Sequence, residues 1–98
     1  MTPQEAEVLF SQRIDEALRL CHELGYHPNR FQQMFNKYGA ANTARRLVAS
    51  GDLQDGLRRL SKMGRLDLSM EQIMLEDPFH LIFTQQELAA AQWRLDQL

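Results

Sequence analysis

Residues 64–88, GRLDLSMEQIMLEDPFHLIFTQQEL, contain two helix-start signals and the densest run of large apolar residues in the chain. Ser69 followed by Gln72, and Thr84 followed by Glu87, match the pattern in which an N-cap hydroxyl accepts from the third helical N–H while the third side chain reaches back. Two helices are therefore expected to start here. Between them Met74, Leu75, Phe79, Leu81, Ile82 and Phe83 are too apolar for a solvated loop, so the connection is expected to press into the core. Asp77-Pro78 breaks the first of these helices, since proline restricts its predecessor. A helical turn is expected over Phe79–Ile82. Gly64 closes the preceding helix, and Arg65–Leu68 reads as an extended connector with Leu66 and Leu68 buried; four residues with no second strand make no sheet.

Outward from this stretch the chain is punctuated by glycines. Thr2, Pro3 and Glu5 form a capping box with proline at the first helical position, opening a long first helix with Val8, Leu9, Ile14, Leu18 and Cys21 on its stripe, Phe10, Ala17 and Leu24 widening it, and Gly25 at its end. Pro28 precedes a short aromatic helix with Phe31, Met34, Phe35 and Tyr38 on one side, stopped by Gly39. A third helix, about 41–50, packs through Ala44, Leu47 and Val48 with Arg45 and Arg46 turned away, and Gly51 closes it. Asp52 or Gln54 opens a fourth, carrying Leu57, Leu60 and Met63, in which Gly56 implies close approach of a neighbour. The last helix, 85–98, places Leu88, Ala91, Leu95 and Leu98 on one face, with Trp93 off that line. The expected architecture is all-α: one compact domain over residues 1–98, of five or six short helices with a longer N-terminal helix.

A chain of 98 residues supports a single core. Its 44% hydrophobic and 24% charged content is that of a folded globular protein. The lone Cys21 excludes an internal disulfide and fits a reducing compartment. No basic leader and no apolar run of spanning length is present, so a cytoplasmic, membrane-free protein is expected, either monomer or homodimer. The net charge of -2 is unevenly spread: the ends are acidic, while Arg30, Lys37, Arg45, Arg46, Arg58, Arg59, Lys62 and Arg65 make the middle basic.

Chemistry-bearing patterns are sparse. Cys21, His22, Glu23 and His27 superficially match a zinc-protease motif, but that site needs histidines four apart on one helical face, whereas these are five apart with Gly25 between them. No metal and no cofactor are expected. No glycine-flanked serine, phosphate loop or paired-carboxylate pattern points to catalysis, and Glu71 and Glu87 are explained as helix-start carboxylates. Arg65 and Asp67 read as a structural ion pair. An enzyme would need titratable groups converging around Arg65, Asp67 and His80.

Two binding modes follow. The third and fourth helices resemble a helix-turn-helix that would offer Arg45, Arg46, Arg58, Arg59 and Lys62 to phosphate, although the sequence pI of about 5.9 is low for a DNA-binding domain. The preferred mode is protein–protein contact, with Tyr26, Phe79 and Trp93 the side chains expected at the surface.

Taken together, Tyr26-His27-Pro28 with Phe31 and Met34, Tyr38-Gly39, Asp55-Gly56-Leu57, GRLDLSME at 64–71, Leu75-Glu76 and FTQQEL at 83–88 are similar to a group of small bacterial all-helical proteins with no assigned activity. The likeness spans roughly residues 20 to 98 and is most specific at GRLDLS, LE and FTQQEL. It implies an intracellular bacterial accessory factor and transfers no catalytic residue. The first helix lies largely outside it.

Overall fold

The computed structural model describes residues 1–50 and 55–98. Among the described residues six α-helices follow one another: α1 (Pro3–Glu23), α2 (Asn29–Tyr38), α3 (Ala40–Ala49), α4 (Asp55–Lys62), α5 (Met70–Met74) and α6 (Gln85–Asp96), with 3-10 turns at Leu66–Leu68 and Phe79–Leu81. There is no strand among the described residues. The expected start of the fourth helix at Asp52 or Gln54, and the stop at Gly51, lie outside the described residues.

Capping follows the side chains. Thr2 and Glu5 form a reciprocal box at α1, as do Thr84 and Glu87 at α6. At α5 only half the box forms. Ser69 Oγ accepts from Gln72 N–H at 3.1 Å, but the Ser69 N–H bonds Leu66 O at 3.0 Å, so the Gln72 side chain has no donor to meet. That bond belongs to the 3-10 turn over 66–68, which replaces the expected extended connector; Leu68 is buried and Leu66 only half-buried. The fifth helix also ends earlier than the proline alone implies, at Met74.

The core is built against α1. Phe10 is fully buried and meets Phe79 and Phe83 edge-on, with ring centroids 5.0 Å away in each case. The apolar corner between α5 and α6 is thereby pulled inward, with Met74 and Ile73 buried beside it. The α1 stripe runs through Ala6, Phe10, Ile14, Ala17, Leu18 and Cys21; of the residues expected on it, Val8 and Leu24 are exposed and Leu9 is half-buried. Arg13 ties the same corner to α1: its Nε donates to Glu76 Oε1 at 3.1 Å and its Nη2 to Oε2 at 2.6 Å.

On α6 the buried residues are Ala91 and Arg94, while Leu88 and Leu95 are half-buried and Leu98 is exposed. Arg94 is 1% exposed and Glu71 4%, and Arg94 Nε donates to Glu71 Oε2 at 3.0 Å. Glu71, expected merely to complement a helix dipole, is instead half of an internal ion pair. Helix α2 packs chiefly on α3 and has no fully buried residue.

Candidate functional site: a cleft between α2 and α4

Phe31, Met34, Phe35 and Tyr38 fall on one side of α2 as expected, yet all four remain half-buried. Among the described residues, Phe31 and Met34 face an open cleft of about 620 Å³, while Phe35 and Tyr38 lie beyond its lining. Ile14, Ala17, Leu18 and Cys21 of α1 line it together with Leu68 and Met70; Phe31 and Met34 of α2 and Gly56, Leu57 and Leu60 of α4 line it as well. Its size and mostly apolar lining are those of a binding cleft.

Tyr26 joins the two walls. A β-carbon at Gly56 would stand 2.5 Å from the Tyr26 hydroxyl oxygen, so the close approach inferred from this glycine is met by a side chain. The Arg59 guanidinium lies 5.2 Å from the centroid of the same ring. Burial pushes the Tyr26 hydroxyl above its ordinary value, Cys21 adding to the rise, so it remains a neutral phenol. Burial likewise pushes the Cys21 thiol up, which makes it an apolar floor residue rather than a nucleophile.

The charges at the cleft are unequally matched. Glu71 is bonded by Arg94, and Asp55 lies 3.6 Å from Arg58. Arg30 and Arg46 also line the cleft, both are exposed, and neither forms an ion pair among the described residues. Arg46 stacks on Tyr38, 3.9 Å from the ring centroid. Among the described residues the mouth therefore carries positive charge without a carboxylate partner, over an apolar floor.

The residues expected to contact nucleic acid are not equivalent. Arg45 does not turn away from the core as expected. Its Nη2 donates to Ile82 O at 2.7 Å, its Nη1 donates to Asn42 Oδ1 at 3.0 Å, and its Nε is 3.9 Å from Glu87. Arg45 thus fastens α3 to the start of α6. Arg58 faces Asp55 within α4, which leaves Arg46, Arg59 and Lys62 as exposed cations without an ion pair among the described residues. Of the expected protein contacts, Tyr26 is half-buried in the cleft and Trp93 is 50% exposed on α6, outside it. Phe79 is 1% exposed and cannot serve as a contact, because Phe10 covers it.

Arg65 and Asp67 form the expected pair, with Nε–Oδ1 and Nη2–Oδ2 both 3.1 Å. His80 faces Asp77 at 3.5 Å. Neither pair lines the cleft. Among the described residues no three histidine, cysteine, aspartate or glutamate side chains cluster around a point that could hold a metal ion. None of the described helices is long and apolar enough to cross a membrane. No family model, curated protein or solved structure matches the chain.

Sequence reading found the apolar face of α2 but missed the cleft. Its lining comes from five helices and the 66–68 turn, and no single helix carries the signal. Exposed Arg46 beside Tyr38 was the available hint.

Proposed function

We propose that this chain is a non-enzymatic accessory protein that binds another protein, taking an acidic segment of that partner into the cleft between α2 and α4. The observation that carries the reading is the pairing of a half-covered apolar face with a cationic mouth. Arg30 and Arg46 lack carboxylate partners among the described residues, whereas the two acids on the cleft walls are already matched. An apolar side chain entering over Met34 and Leu57 would bury surface worth about 25 cal/mol per Å², and flanking carboxylates would meet the arginines. The stripe also runs past the cleft to Phe35 and Tyr38, which favours an extended segment over a compact small molecule.

Nucleic-acid binding through Arg45, Arg46, Arg58, Arg59 and Lys62 is the weaker reading, because Arg45 and Arg58 are engaged within the fold. The two are separated by capture from nuclease-treated lysate of the source cells, using wild type and the double variant Arg30→Glu/Arg46→Glu. Both arginines are exposed, so the variant retains the helical circular dichroism of wild type. The expected result is a partner held by wild type, lost from the double variant, and cross-linked through an acidic segment. Capture abolished by nuclease, capture unchanged by the double reversal, or no capture at all would overturn the reading.

A further inference from the structure

We infer that His22 and His27 form a two-imidazole site for a late first-row divalent ion such as Zn²⁺. In a continuous helix, residues five apart are turned by about 140° from one another and cannot share a ligand. Here the helix does not continue. Gly25 adopts φ +82°, Gly25 N–H bonds His22 O at 3.1 Å, and Tyr26 N–H bonds Cys21 O at 2.9 Å. These are the paired bonds of a Schellman motif, which reverses the chain over the last turn of α1. His27 follows directly and is folded back onto His22. The ring centroids are 4.7 Å apart, the planes are tilted by 30°, and the two Nδ1 atoms are in direct contact.

Two facing Nδ1 atoms share at most one proton, and a metal ion accepting both lone pairs satisfies them equally well. Neutral imidazole suits zinc, nickel and copper. Across a tetrahedral ion bonded at about 2.0–2.1 Å, two nitrogens stand about 3.3 Å apart, so the rings need only part slightly. Both are exposed and free to do so. The backbone beneath them is held, because Asn29 N–H bonds His27 O at 2.8 Å and Tyr26 is lodged against Gly56. The remaining coordination positions are open to water. The site is therefore an exchangeable one, and it stands whether or not the neighbouring cleft binds a protein.

The test is titration of the tag-free chain with zinc chloride, followed by calorimetry and by the imidazole nitrogen resonances. Wild type is expected to take up one ion per chain, with the Nδ1 signals of His22 and His27 moving together. His22→Ala and His27→Ala should each weaken binding at least about tenfold, and His80→Ala, the remaining histidine, should leave it unchanged. Circular dichroism verifies that each variant is folded. Absence of saturable uptake by wild type, equal affinity in all four proteins, or dependence on His80 would overturn the inference.

Discussion

Arg94 and Glu71 hold α6 to α5 from inside the protein, through a 3.0 Å bond between side chains that are both almost fully shielded from water. Two desolvated charges repay their loss of hydration only while they are together. Arg94→Met alone leaves the Glu71 carboxylate stranded and is expected to cost about 3–5 kcal/mol in urea unfolding. Adding Glu71→Leu should recover a large part of that loss. Additive losses in the double variant would show that the two side chains act separately.

Gly56 and Tyr26 form a second coupled pair. Alanine at a helical position ordinarily gains about 1 kcal/mol over glycine. At Gly56 the new methyl would collide with the Tyr26 hydroxyl. Gly56→Ala should therefore fail to stabilise wild type but stabilise a Tyr26→Phe background, a non-additivity of at least about 0.5 kcal/mol in a thermal or urea double-mutant cycle.

The Thr43 side chain is fully buried, and its Oγ1 has no hydrogen-bond partner among the described residues. Valine keeps the shape and removes the unsatisfied hydroxyl. Thr43→Val should raise stability by about 1 kcal/mol, read as a higher urea midpoint with an unchanged slope.

Much of this architecture was legible in the sequence because it is local. Thr2, Ser69 and Thr84 mark helix starts through bonds reaching only three residues ahead, and Gly25, Gly39 and Gly64 mark reversals through positive φ. The misreadings came where distant residues decide. Nothing near Arg94 in the chain announces Glu71, and Leu98 fits the helical period of α6 but lies past the helix end at Asp96. Likewise Val8 is larger than Ala6 and yet is exposed, because the Phe79–Phe83 corner selects Phe10. The meeting of His22 and His27 was missed because the break at Gly25 was taken to separate them, whereas the turn it makes folds His27 back onto His22.

At Gly25 an alanine would meet no neighbour within 4 Å, so its penalty is purely one of backbone conformation at φ +82°. Gly25→Ala should lower stability by about 1–2 kcal/mol, measured by denaturant unfolding. The imidazole signals of His22 and His27 should shift with it, since the same turn brings the two rings together.

Asp67 supplies a pH dependence. The hydrogen bond from Arg65 holds its carboxyl below the ordinary aspartate range, against a smaller opposing effect of burial. A carboxylate lowered in the folded state adds stability above the unfolded pKa and loses it as pH falls through the folded one. Wild type should therefore exceed Asp67→Asn in urea midpoint by a steady, small margin near neutrality, and the margin should close below about pH 4. A margin that persists at pH 2 would rule out this pair as its source.

Because α2 rests chiefly on α3, buries no residue completely and meets the core through half-buried Phe31 and Phe35, it opens at less cost than the helices that carry Phe10 or the Arg94–Glu71 bond. Its amides then sit at the shallow end of the free-energy scale for opening and exchange deuterium well before those of the α1 centre. The element that would grip a partner is thus also the one the protein can most readily reshape around it.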